Sequence, residues 1–490
     1  MSFHLTNLIA ATGGRLLPGE PLTAHGTDPA TAAIGEVVTD SRRIQSGDVF
    51  WALAGPRHDG ADFIDEAFRR GAVGAVTSRG AVRAPRGKWV VEVDDSLAAL
   101  WRLAGRVRCA SAARVVAVTG SVGKTTTREM IDRVLQTAGR GTASPHNWNN
   151  HVGLPLSLLR LEADHRYGVF ELGANHVGEI AALAGVCRPE WGVITRIGDA
   201  HLGQFGGAEQ VAAAKAELLD ALPSDGCAFL CGDDPWLRRM ARGRNVRVVW
   251  VGRGSDCDLT ADDVRSDTRG LAFRVERQTY HVNVVGRHHL TSAMLAIAVG
   301  RAFGLAHAAL AESLAQYRPV RMRCEVRPIG AWTVIDDTYN ASPMALHAAL
   351  ELLGEYETSG RRVVVAGTMH ELGRDATQLH RLMGRQAVTV GGADLLVTCG
   401  PRAGDLARGA LEAGMPASAV VVCPDAADAA AQLIDRLRER DVVLVKGARI
   451  ERLERVVQRL AAWAECDQSD PSASSRETAR RLSDVHFSNH

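Results

Sequence analysis

Short apolar, β-branched runs alternate along the chain with longer stretches in which apolar residues recur every three or four positions. Residues 115–119 (VVAVT), 167–172 (YGVFEL) and 191–197 (WGVITRI) are too short for helices and read as strands buried on both faces. Between the first two, residues 125–138 place Met130, Ile131, Val134 and Leu135 on one helical face, with Gly139 as the stop. Strand, helix, strand in succession predicts a mostly parallel sheet covered by helices. A second series begins near Pro319, with strands at 332–337 (WTVIDD), 362–367 (RVVVAG), 395–400 (LLVTCG), 419–423 (AVVVC) and 442–447 (VVLVKG). Amphipathic stretches such as DAADAAAQLIDRLRER separate them, the pattern of a doubly wound α/β unit. The first part of the chain mixes strand-like runs (IGEVVTDSR, DVFWALAG, GAVGAVTS) with turns. The last part, from Cys466, is polar and Ser-rich and is expected to be disordered. The predicted class is therefore α/β in three domains: 1–108 small α/β, 109–318 a central parallel sheet and 319–465 a Rossmann-like unit, with a tail at 466–490. A length of 490 residues agrees, at ~150 residues per domain.

Composition narrows the function classes. Lys+Arg number 57 against 56 Asp+Glu, a net charge of +1, which argues against a general nucleic-acid binder or a membrane-surface protein. No run approaches the ~20 apolar residues that cross a bilayer. The start, MSFHLTNLIAATGG, lacks a basic leader joined to an apolar stretch, so a cytoplasmic protein is expected. Nine scattered Cys fit reduced thiols, and Cys227 and Cys231, the closest pair, read as packing residues.

The candidate chemistry starts where the 115–119 run ends. Gly120-Ser121-Val122-Gly123-Lys124-Thr125-Thr126 follows a strand and opens a helix. Glycines let backbone N–H groups approach phosphate oxygens, and the helix N-terminus adds positive potential. Lys124 would reach the terminal phosphates and Thr125 would offer its hydroxyl to Mg²⁺. The spacing is a compressed TG-x-x-GKT form, because position 118 is Val rather than Gly. Glu171 closes one strand and His201 lies beyond another, so both are placed at the sheet edge that carries the loop. A carboxylate suits Mg²⁺; a lone His reads more naturally as structural. Lys215, in the helical GGAEQVAAAKAELLDAL, reads by itself as a solvated Lys. Asp336-Asp337 at a strand end could hold ribose hydroxyls or a cation, or cap the next helix. Lys446 and Arg449 in VKGARIE follow another strand end and could meet an anionic substrate.

The TG-x-x-GKT loop, with TDSRRIQSGDVFWALAGPRHDGADFIDEAFRRGA, NWNNHVGLP, ELGANHVGEI, DAHLGQFGG, AAKAELL, IDDTYNASP, GTMHELG and VKGAR, resembles the Mur ligase family over about residues 34–460. These are the ATP-dependent amide-forming enzymes of peptidoglycan assembly. Within the family the segments are most similar to the fourth ligase of the pathway; the D-N-P-R motif of the third is absent. The resemblance implies a uridine-nucleotide-binding N-terminal domain, with Asp40, Ser41 and Arg42 in its nucleotide segment. It implies Gly120 to Thr126, His289, Arg323, Asp336 and Asp337 for ATP. Glu171, His201 and a carbamylated Lys215 are implied as Mg²⁺ ligands beside Thr125, and Asn147, Asn150 and His176 near the muramoyl peptide. It implies UDP-N-acetylmuramoyl-tripeptide and D-Ala-D-Ala as substrates, with a monomer expected. The family's H-N-x-x-N, whose amides help hold adenine, is replaced here by His288-His289-Leu290-Thr291-Ser292. Two alternatives stay open: another amino-acid ligase of the same superfamily, and a non-catalytic nucleotide-binding module.

Overall fold

The structure is a computed structural model that describes residues 4–17, 34–55, 58–80, 82–198, 202–205 and 207–469. Among the described residues there are three sheets. The first has the strand order Arg15–Leu16, Trp89–Glu92, Gly74–Thr77, Val49–Trp51, Val37–Val38, antiparallel only at its first pair.

The second sheet runs Gln278–Val282, Gly270–Val275, Leu259–Asp267, Arg247–Gly252, Cys227–Cys231, Trp191–Ile194, Arg114–Thr119, Tyr167–Glu171, Gly141–Ala143. From Leu259–Asp267 to Gly141–Ala143 every pairing is parallel. The runs VVAVT, YGVFEL and WGVITRI supply its middle, and their lack of alternation has a direct cause. Val115 and Ala117 enter one hydrophobic core and Val116 and Val118 the other, so both faces demand apolar residues. The Arg114–Thr119 strand lies between Tyr167–Glu171 and Trp191–Ile194, so connections leave it in both directions. Such a reversal of strand order opens a crevice beyond the carboxyl ends of the strands.

The third sheet runs Glu325–Ile329, Trp332–Asp337, Val442–Lys446, Arg362–Gly367, Leu395–Cys399, Val420–Cys423, antiparallel only at its first pair. Val364 and Ala366 pack against helices Pro343–Glu355, Ala376–Thr389 and Ala403–Glu412. Val363 and Val365 pack against Ala426–Ile434 and Glu454–Ser469. Two covered faces make it doubly wound, as expected.

Several expected elements end elsewhere. The helix expected over 125–138 is α-helical over Lys124–Leu135, tightens to a 3₁₀ turn at Gln136–Ala138, and stops at Gly139 with φ 137°. Of DAADAAAQLIDRLRER only Ala426–Ile434 is helical, capped by the Asp425 carboxylate on the backbone of Ala427 and Asp428. The Glu454–Ser469 helix runs into the stretch expected to be tail; residues 470–490 lie outside the described residues.

Candidate active site

The phosphate loop is built by a constraint at each end. Gly120 has φ 140°, and a Cβ there would stand 2.0 Å from the Thr195 hydroxyl oxygen, so only glycine fits. Gly123, at φ 81°, turns the chain into the helix that begins at Lys124. Thr195 holds the loop by donating its hydroxyl to the Val122 carbonyl at 2.5 Å. The Ser121 backbone N–H donates to Arg196 O at 2.8 Å and its hydroxyl to Gly198 O at 3.2 Å. Lys124 folds back over the loop, Nζ donating to the Gly120 carbonyl at 2.8 Å. Desolvation lowers the Lys124 pKa; the Glu171 carboxylate opposes this and the Arg323 guanidinium adds to it. An ammonium in that setting gains from a nearby anion.

Glu171 is buried at the end of its strand and faces the loop. The Thr125 hydroxyl donates to its Oε2 at 2.9 Å, and Asn149 Nδ2 donates to its Oε1 at 2.8 Å. The buried Arg128 brings Nε to 3.9 Å from Oε2. A hydroxyl and a carboxylate in contact at a helix N-terminus form a hard oxygen pair of the kind Mg²⁺ takes. The two residues therefore fit the ion.

Lys215 is 2% exposed, so it is not the solvated Lys that its helix alone would imply. Its Nζ reaches the Ala174 carbonyl at 3.3 Å and lies 5.3 Å from the centre of the Phe205 ring. Burial, reinforced by the charge of Lys124, pulls its pKa down to about 7. The amine therefore carries a large neutral fraction at neutral pH.

The opposite wall comes from the third sheet and the segment leading into it. Arg323 donates from Nη2 to the Thr125 hydroxyl at 3.3 Å, with its guanidinium 3.9 Å over the Tyr339 ring. Lys446 Nζ contacts Asp337 Oδ2 at 2.5 Å and donates to Asn340 O at 3.0 Å. Asp336 instead accepts from the Thr338 hydroxyl and backbone N–H, off the cavity wall, and it does not cap the next helix, Pro343–Glu355, whose N-cap is Ser342. His289 is buried, and its Nε2 has no hydrogen-bond partner among the described residues.

One cavity of about 630 Å³ collects Ser121, Val122, Gly123, Lys124, Thr125, Thr126, Asn147, Asn150, Glu171, His289, Arg323, Asp337 and Lys446 along its wall. Gly120 touches it through Lys124, and Lys215 sits behind Ala174, itself a wall residue. Other expected site residues stand apart from the wall. His176 is exposed and paired with Glu179 at 3.1 Å. Arg449 is paired with Glu454 at 3.0 Å. Ser41 is buried against Glu66, and Arg42 is paired with Asp40 at 2.8 Å, both in the first unit. His201 lies outside the described residues. Reading by motif missed Asn149, Arg128, Thr195 and Tyr339. Asn149 sat inside NWNN, but spacing alone does not say which amide faces the carboxylate.

Residues 33–106 match the model of the Mur ligase family catalytic domain, 118–300 the Mur ligase middle domain, and 322–449 the Mur ligase glutamate ligase domain. The chain is 33% identical over 427 residues to the UDP-N-acetylmuramoyl-tripeptide–D-alanyl-D-alanine ligase of Bacillus subtilis (strain 168), covering 86% of this chain and 92% of that one. With the ligase of the same name from Escherichia coli (strain K12) the identity is 34%, over 89% of this chain and 96% of the other. A crystal structure of MurF from Acinetobacter baumannii superposes with TM-score 0.82 at 28% identity, covering 94% of this chain and 98% of that one. MurF ligase from Thermotoga maritima in complex with ADP gives TM-score 0.76 at 29% identity, over 88% and 98%. The chain belongs to the Mur ligase family.

Proposed function

We propose that this chain is an ATP-dependent, ADP-forming ligase that joins D-alanyl-D-alanine to the peptide carboxylate of UDP-N-acetylmuramoyl-tripeptide. One observation carries the reading. The phosphate loop, the buried Glu171, the Asn147 and Asn150 amides, and Asp337 and Lys446 from the third sheet all face one cavity. The names of the relatives support the choice of substrates.

A carboxylate and an amine do not condense in water without activation. Here the peptide carboxylate attacks the γ-phosphorus of ATP, ADP leaves, and an acyl phosphate forms. The amine of D-Ala-D-Ala attacks the acyl carbon, phosphate departs with its bonding pair, and the ammonium proton is lost to solvent. Lys124 and the loop N–H groups bear the charge that develops on the transferred phosphoryl group. Arg323 approaches the same group from the third unit. Asn147 and Asn150 orient the acceptor peptide, and Lys446 and Arg449 meet anionic parts of the substrates. His289 lies at the adenine end, and Ser41 and Arg42 serve the uridine nucleotide. Thr125 is the residue present to hold one Mg²⁺, and Glu171, which accepts its hydroxyl, would hold a second together with His201 and a carbamylated Lys215. When bound, the ions supply charge neutralisation at the β- and γ-phosphates. Carbamylation needs a neutral amine: Nζ adds to CO₂, an N–C bond forms and a proton leaves, turning a cation into an anionic oxygen ligand. The depressed pKa of Lys215 supplies that amine.

Water must be kept from an acyl phosphate. The Gly203 N–H donates to Glu371 O at 2.9 Å, tying the segment after the Trp191–Ile194 strand to the third unit.

The test is a reaction with UDP-N-acetylmuramoyl-tripeptide, ATP and D-Ala-D-Ala, following phosphate release and product mass. The expected product is heavier by one dipeptide less water. Phosphate release with single amino acids but not with D-Ala-D-Ala would assign the chain to another ligase of the superfamily. Nucleotide binding without turnover would assign a non-catalytic module.

A further inference from the structure

We propose that His288, His289 and Cys324 form a binding site for a zinc-class cation in the wall of the nucleotide cavity, and that its occupancy opposes nucleotide binding. One donor atom from each of the three residues falls within 4.8 Å of the other two. Cys324 Sγ stands 3.6 Å from His288 Nε2. Zinc bonds of ~2.3 Å to sulfur and ~2.0–2.1 Å to nitrogen at a tetrahedral angle put the two donors about 3.6 Å apart, so this pair already has the required span. The His288 and His289 rings lie side by side, centroids 4.0 Å apart. His289 Nε2 is buried with no hydrogen-bond partner among the described residues, an unmet demand that a cation or an incoming ligand would satisfy.

The scaffold holds these donors firmly. Both histidines lie in the 3₁₀ turn Arg287–His289 that starts the buried helix Leu290–Ala302. Cys324 has φ 50°, its neighbour but one Met322 has φ 64°, and the Cys324 N–H donates to Asp337 Oδ1 at 3.2 Å. Two cations of the same wall approach these donors: Lys446, paired with Asp337, and Arg323, next in sequence to Cys324 and directed at the Thr125 hydroxyl. Two imidazoles and a thiolate select a borderline or soft ion and reject Mg²⁺, which takes oxygen. The site is thus chemically distinct from the Thr125–Glu171 pair although it lines the same cavity. Binding requires the thiol proton to leave to solvent as the sulfur–metal bond forms. The other cluster of metal-ligating type among the described residues, Glu162, Asp164 and His165, is explained otherwise: both acids are paired with Arg140, and His165 Nδ1 accepts from the Glu162 N–H.

Cobalt(II) provides a spectroscopic test that does not depend on ligase activity. The full chain carrying Cys109→Ser, Cys257→Ser and Cys466→Ser, which removes the partly or fully exposed thiols, is titrated with cobalt. A thiolate-to-cobalt charge-transfer band saturating at one equivalent is expected. Adding Cys324→Ser abolishes that band, and His288→Asn weakens it, in variants whose circular dichroism is unchanged. A second arm measures Mg·ADP binding by calorimetry with and without one equivalent of zinc. The parent loses about tenfold in affinity and the Cys324→Ser variant loses none, so chelation of zinc by the nucleotide itself cancels between the two. No thiolate band in the parent, or a band unchanged by Cys324→Ser, overturns the site. A band with equal zinc effects on Mg·ADP in both proteins overturns the antagonism.

Discussion

Two lysines near one cavity are put to opposite uses by their surroundings. Lys124, its pKa lowered by burial against the opposing pull of the Glu171 carboxylate, curls onto the Gly120 carbonyl, where a phosphate would favour its charged form. Lys124→Ala should lower ligase turnover by ~10³ or more, because a preorganised charge at the transferred group is lost. The melting temperature should hold or rise, since a desolvated ammonium goes with it; a folded variant with full turnover would remove Lys124 from the site. Burial pulls the Lys215 pKa down to about 7, so much of its charge is lost at neutral pH, and the sign of its linkage follows. The unfolded Lys binds a proton below its ordinary 10.5, the folded one only below about 7. Between those values the unfolded state holds more protons, so this residue's contribution to stability rises with pH. In buffer free of CO₂ and Mg²⁺, Lys215→Met should raise the melting temperature at about pH 6 and lose most of that gain by about pH 9. Equal gains at both would mean that Lys215 is not the buried near-neutral amine described. In ¹³CO₂-equilibrated wild type a carbamate carbon resonance is expected, and absent from the variant. What was legible at this scale followed from strand ends. Lys124, Thr125 and Glu171 could be placed because each closes or follows an apolar run. Asn149, Arg128 and Tyr339 could not, because their roles rest on which way a side chain turns in a loop or on a helix.

At the scale of elements, a run was legible in proportion to how completely it is buried. WTVIDD and RVVVAG coincide with the strands Trp332–Asp337 and Arg362–Gly367 because both faces of the third sheet are covered. The strands Leu259–Asp267, Gly270–Val275 and Gln278–Val282 left no such run. Only Ala261 of LTADDVRSD is buried, and the strand's register is broken by an irregularity between Asp262 and Arg265. Helix–helix approach left a fainter trace. A Cβ on Gly384 would stand 1.9 Å from Leu406 O, and one on Gly409 1.9 Å from Arg381 O, so Ala376–Thr389 and Ala403–Glu412 touch backbone to backbone. Gly384→Ala improves helix propensity by up to ~1 kcal/mol yet must push the pair apart. Overpacking of this kind costs ~1–3 kcal/mol or more, so net destabilisation is expected, read as a lower denaturation midpoint. An unchanged or higher midpoint would show that the helices separate freely.

At the scale of the molecule, the site belongs to no single sheet. Trp101, from the helix Ser96–Ala110 of the first unit, lines the cavity and donates from Nε1 to His151 O at 2.7 Å, tying that unit to the second. Tyr339, Asn340, Ser342 and Met344 bring the third unit to the same space. This convergence was legible only through the family likeness, since no local pattern states which sheets share a crevice. Arg323 is the direct protein link from the third unit's approach to Thr125 in the phosphate loop, and its stack on Tyr339 fixes the direction of that reach. A nucleotide on the loop should therefore stabilise the third unit as well as the second. Saturation at ~100 times the dissociation constant is worth ~2.7 kcal/mol to whatever unfolds together with the site. In wild type, a non-hydrolysable ATP analogue should slow backbone amide exchange in the third-sheet strands Trp332–Asp337 and Val442–Lys446 as well as in the helix Lys124–Leu135. Arg323→Met retains much of the side-chain bulk but neither the charge nor the hydrogen bond. In that variant the helix should remain protected on binding while protection of the two strands falls away. If the strands are protected equally in both proteins, the coupling runs through Asp337 and Lys446 rather than through Arg323.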